Sequence, residues 1–127
     1  MLPYVDSTEQ LVTELYVRDV NRSFKFYAGF GFTLIRILDD FAEFSWEGNR
    51  FMLEEHKDWD WPSIPTYPQA NIRVMVPDVD KFWILARDMK VPVLKPINDR
   101  EYGLRDFTIR DPDGFAIRFA SRINDSN

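Results

Sequence analysis

The chain has 127 residues and a net charge of −5, with eleven Phe and no Cys. One domain of that length holds a substantial core, the aromatic content argues against disorder, and disulfide or thiolate chemistry is excluded. The chain shows no basic cluster for a phosphate backbone, no apolar run of membrane length and no basic-then-apolar start. The expectation is therefore a cytoplasmic protein that binds neither nucleic acid nor membrane.

Residues 11–17 alternate, with Leu11, Thr13, Leu15 and Val17 on one side and Val12, Glu14 and Tyr16 on the other. That period of two predicts a strand. Asp19 is a natural N-cap, Val20, Phe24 and Tyr27 recur at helical spacing, and Gly29 and Gly31 end the helix. Three strand-like runs follow, 32–38, 41–46 and 50–56, the last two joined by a turn at Gly48-Asn49.

The order then repeats. Leu15-Tyr16-Val17-Arg18-Asp19-Val20 returns as Val74-Met75-Val76-Pro77-Asp78-Val79, an offset of 59 from Asp19 to Asp78. A strand over 71–76 leads to the Asp78 cap and a helical stripe of Phe82, Leu85, Ala86 and Met89. Strand-like runs at 91–94, 107–109 and 115–120 complete the second half, with Asp111-Pro112-Asp113-Gly114 as a turn. Two copies are too few for a solenoid. The prediction is one α+β domain over 1–127, built from two pseudo-symmetric βαβββ modules at about 10–56 and 70–121 and joined by a linker at 57–69. In each module one sheet face lies under the helix. The other is free, and the two curved free faces would enclose a cleft, the default ligand site.

These residues resemble the vicinal oxygen chelate superfamily, which includes glyoxalase I, extradiol dioxygenases and the bleomycin resistance proteins. The likeness is carried by Val17-Arg18-Asp19 with Phe26-Tyr27 and Gly31-Phe32, then Val76-Pro77-Asp78, Arg105-Asp106-Phe107 and Arg110-Asp111-Pro112-Asp113-Gly114. It implies that metal-dependent members would draw four ligands from the first and fourth strands of each module. Those positions here are Val12, Glu54, Asn71 and Arg118, which retain one carboxylate and add a fixed cation. The expectation is no metal and no cofactor. Within the superfamily the chain looks most similar to the bleomycin resistance proteins, through Met52-Leu53-Glu54, Asp39-Asp40-Phe41-Ala42 and Tyr102-Gly103. That likeness implies a homodimer that sequesters a cationic glycopeptide in grooves at its subunit interface, with an N-terminal exchanged segment around Pro3.

The candidate ligand-binding residues are Phe41 and Tyr102, for stacking on planar rings, with Glu54, Arg73, Arg118, Trp59 and Trp61. Glu54 with Arg118, and Glu14 with Arg73, would form charge pairs, either as a polar core or as ligand contacts. Trp59-Asp60-Trp61 either receives a planar cation or plugs the end of its module, with Trp46, Glu55 and His56 beside it. The leading expectation is a metal-independent binding protein for a planar, cationic small molecule of the bleomycin type, with no catalytic residue. Two alternatives stand: a metal-independent isomerase or lyase with Glu54 as base, and a binder of another small aromatic metabolite. Exposed, unpaired Arg73 and Arg118 would favour an anion instead.

Overall fold

The computed structural model describes residues 4–123, so Pro3 lies outside the described residues. A division between Pro62 and Ser63 separates two compact units. The first contains β1 (Thr13–Val17), α1 (Val20–Gly29), β2 (Thr33–Leu38), β3 (Phe41–Trp46) and β4 (Asn49–Glu55), after a single 3₁₀ turn at Ser7–Glu9. The second contains β5 (Asn71–Met75), α2 (Val79–Asp88), β6 (Val93–Asp99), β7 (Leu104–Arg110) and β8 (Ala116–Arg122). Each is a βαβββ module, and the architecture is α+β, as the repeat predicts. Each sheet places its first strand beside its last, in the orders β1-β4-β3-β2 and β5-β8-β7-β6. That outer pair is parallel and the remaining pairs are antiparallel.

The helices start and stop at equivalent places. Asp19 accepts from the amides of Asn21 and Arg22, and Asp78 accepts from that of Asp80. These bonds satisfy donors that have no partner inside the helix. Past each helix the chain folds back: the Phe32 amide reaches the Tyr27 carbonyl, and the Val91 amide reaches that of Ala86. The residue between lies in the left-handed region, Gly31 at φ 100° in one module and Lys90 at φ 56° in the other. The offset of 59 therefore extends through the helix and its cap.

Each helix covers one face of its own sheet. In the first module Tyr27 is fully buried, with ring centroids 4.8 Å from Phe51 and 5.3 Å from Phe32. In the second, Phe82 stacks on Phe119 at 5.0 Å and Trp83 meets Phe107 at 5.1 Å. Burying a side chain of Leu or Phe size contributes about 1.5–3 kcal/mol, so these clusters anchor each helix.

Several boundaries differ from expectation, for physical reasons. β1 begins at Thr13, the first residue with a partner on β4, so Leu11 is exposed instead of sharing the face of Leu15 and Val17. The hairpin turn is Glu47-Gly48, both at positive φ, because Trp46 pairs with Asn49. β7 is longer than its apolar run because the polar Asp106 and Thr108 alternate with Phe107 and Ile109. β6 extends to Asp99 through Pro96, which an edge strand with an irregular register accommodates.

Candidate functional site

Each module leaves one sheet face uncovered by its helix, and the register states which side chains share it. In the first module Tyr16 lies opposite Glu54, Glu54 opposite Phe41, and Phe41 opposite Leu38. The next row on that face is Glu14, Met52, Glu43 and Arg36. Glu43 is buried at 7% exposure and tolerates it because Arg36 and Arg50 both reach it, at 2.8 and 3.2 Å. Arg36 also lies over one face of the Phe41 ring, 5.3 Å from its centroid.

At the end of β4, Glu54 accepts a 2.7 Å bond with His56 Nε2, two residues along the same side of the chain. The His56 ring stacks on Trp59 at 3.7 Å, and Tyr16 meets both edge-on. Trp61 donates its indole N–H to the His56 carbonyl, while Arg18 covers its ring at 4.7 Å. Trp59 and Trp61 are thus packed onto their own module through His56, Tyr16 and Arg18. Trp59 keeps an exposed side.

The free face of the second module is organised around Asp106. Its carboxylate is 1% exposed and receives Arg100 Nε at 2.8 Å, the Tyr102 hydroxyl at 2.7 Å and Arg118 Nε at 2.9 Å. Burial pushes the carboxyl upward, but the bonds from Arg100, Tyr102 and Arg118 outweigh it and hold the group below the usual carboxylate range. The same bond to Asp106, then burial, pushes the Tyr102 phenol upward. Arg118 Nη2 donates to the Tyr102 oxygen at 3.1 Å, and its guanidinium lies 5.3 Å from the Tyr102 ring centroid. Tyr102 is therefore a fixed ring with 60% of its surface exposed.

The structure brings Glu54, Phe41, Trp59 and Trp61 together in the first module and Arg73, Tyr102 and Arg118 together in the second. Two of the charged candidates find partners inside their own modules. Glu54 takes His56 and Arg118 takes Asp106, each within its own module. The Arg73 side chain makes no hydrogen bond or ion pair among the described residues. It lines an open depression of about 670 Å³ with Tyr102, Arg118 and Arg122. Sequence reasoning missed Asp106 and His56 as organising residues. The signals were present: an Asp alternating with Phe107 on a strand, and a His two places from a Glu on another.

The four positions that would ligate a metal do not fit one. Val12 has no donor atom, and Arg118 is a permanent cation already committed to Asp106 and Tyr102. Among the described residues no three His, Asp or Glu side chains form a group that could hold a metal ion. No helix among the described residues is long and apolar enough to cross a membrane.

Known proteins place this fold. The chain resembles in structure a glyoxalase/dioxygenase from Nostoc punctiforme, with TM-score 0.77, 16% identity and 96% of this chain on 98% of that one. TioX from Micromonospora sp. ML1 matches at TM-score 0.73 and 22% identity over 89% of this chain and 98% of its own. A lactoylglutathione lyase from Agrobacterium tumefaciens matches at 0.69 and 21%, over 94% of each chain. At these identities the likeness is one of fold. No curated protein matches the chain. The family model described as the Glyoxalase/Bleomycin resistance protein/Dioxygenase superfamily matches residues 9–119. With a duplicated βαβββ module throughout and a family match over most of its length, the chain belongs to the glyoxalase/bleomycin resistance protein/dioxygenase superfamily.

Proposed function

We propose that this protein is a metal-independent small-molecule binding protein that sequesters its guest, with a bleomycin-type glycopeptide as the guest to try first. The observation that carries this reading is the Asp106 cluster. Where a chelating relative would offer a lone pair, this chain fixes a guanidinium and beside it holds the Tyr102 ring open to solvent. In the first module the Phe41 ring has Arg36 over one face, a geometry suited to stacking with a planar group. Glu14 and Glu54 supply negative charge on the free face of the first module for a cationic tail.

The assembly is proposed to be a homodimer. It is supported by the edge strand β2, where Leu34, Ile35, Ile37 and Leu38 are all exposed. The test is calorimetric titration with metal-free and copper-loaded bleomycin, on protein whose mass is measured by light scattering. Binding at about micromolar Kd or tighter, weakened in Phe41→Ala and Tyr102→Ala, supports sequestration. No binding at high concentration overturns it.

A second reading is a metal-independent enzyme with Glu54 as base, favoured by the Glu54–His56 bond of 2.7 Å. Turnover of a carbonyl substrate that is abolished in Glu54→Gln but retained in Phe41→Ala would select it.

A further inference from the structure

The second module contains a cavity of about 480 Å³ that takes in Tyr102, Asp106 and Arg118 of the cluster described above and extends to the segment before β5. That volume is within the roughly 300–1,000 Å³ typical of ligand pockets. Its walls include Tyr67 from the segment before β5, Tyr102, and Lys95, Thr108 and Arg118 from the free sheet face. Asp106 is the carboxylate in its lining, and both of its oxygens already accept from Arg100, Tyr102 or Arg118. The Lys95 side chain has no hydrogen-bond or ion-pair partner among the described residues, and Arg118 keeps Nη1 free of both. The adjoining depression shares Tyr102 and Arg118, adds Arg73 and Arg122, and has no acidic residue in its lining. Charge in this region is cationic, while Tyr67 and Tyr102 supply exposed ring surface.

The pocket wall is also held in place. Arg110 donates to the carbonyls of Pro65 and Thr66, each at 2.8 Å, and to that of Gly114 at 2.7 Å. One guanidinium thus ties the segment before β5 to the turn before β8. A wall fixed before a guest arrives reduces the ordering cost of binding.

We infer that this pocket binds a small planar aromatic carboxylate. The ring lies against the tyrosines, and the carboxylate meets Lys95 and Arg118, with Arg73 adding positive charge from the adjoining depression. Arg118 Nη1 and the Lys95 ammonium line one pocket, and each can donate to an oxygen of a carboxylate. The inference rests on the binding reading above and changes the chemistry of the guest at this module from cationic to anionic.

The probes are naphthoate and its uncharged amide, naphthamide, titrated into the full chain by calorimetry at two salt concentrations. Naphthoate is expected to bind about tenfold tighter than naphthamide, and to weaken as salt rises. Lys95→Gln and Arg73→Gln, both at exposed positions, are each expected to weaken naphthoate several-fold and naphthamide much less. Tyr67→Ala is expected to weaken both probes alike. Equal affinity for acid and amide, or no effect of the Lys95 and Arg73 substitutions, overturns the anionic pocket. Bleomycin binding without naphthoate binding overturns this inference alone, whereas loss of both overturns the binding reading with it.

Discussion

Replacing Asp106 with Asn tests how the second module holds its free face together. In the native chain one buried carboxylate faces two guanidiniums and a phenol. Asn keeps the size but removes the charge, so Arg100 and Arg118 lose their counter-ion. Removing one partner of a buried ion pair costs about 3–5 kcal/mol. The guanidinium side chains retain 23% and 21% exposure, so water screens part of the loss and the lower end, about 3 kcal/mol, applies. At about 3–5 °C per kcal/mol for a domain of this size, the melting temperature should fall by roughly 10 °C.

Circular dichroism melts at neutral and acid pH provide the assay. A carboxyl whose native pKa is lowered adds stability that is complete above its unfolded value, about 3.9. That stability is lost as pH falls through the native value. The gap between native and Asp106→Asn protein should therefore be constant near neutrality and narrow on acidification below about pH 4. A variant melting within about 2 °C of the native protein at neutral pH, or a gap that persists in acid, would refute this account.

Lys90→Gly places at the end of α2 the residue that its counterpart position, Gly31, already has, and should stabilise by about 0.5–1 kcal/mol in urea titration. Gly31→Ala should move the same distance in the opposite direction. Gly114→Ala should cost about 1–3 kcal/mol, because φ is +88° and an added Cβ would lie 2.5 Å from Ile64 Cγ2. Adding Ile64→Ala should recover the steric part and leave the backbone part, which denaturation of the double variant measures. Arg110→Ala should speed amide exchange in residues 63–69 by tenfold or more while that of β8 stays protected, and uniform exchange across both segments would contradict the tie.

Most of the fold was legible because it is written in short-range signals. Asp caps followed by helical stripes, alternating strands and an internal repeat each state a local geometry, and the repeat lets Asp19 verify Asp78. Strand ends were harder. Leu11 follows the alternation but has no partner on β4, and pairing, not patterning, decides where β1 begins. The site was half legible. Tyr102, Arg118 and Arg73 were singled out and do line one depression: counting along the strands put the two arginines on the free face, while Tyr102, in the turn between β6 and β7, was marked only by the family resemblance. Their electrostatic state was hidden. Whether Arg118 is a free cation or a bound one depends on Asp106, twelve residues away on the neighbouring strand. The pocket wall was hidden too, since Arg110 meets carbonyls 44 and 45 residues earlier in the chain.

The strand order has a consequence for how the chain is made. β1 bonds only to β4 and β5 only to β8, so the strand that emerges first from the ribosome in each module is received by the one that emerges last. Leu15 and Val17, buried in the finished module, wait beside the growing helix until Phe51 to Glu55 have been synthesised. Such a non-local pairing delays closure and leaves apolar side chains open to wrong partners meanwhile. Each module is therefore most vulnerable just before its final strand is added. A chain interrupted ahead of Ala116 would carry a completed first sheet and a second whose opening strand has nothing to pair with.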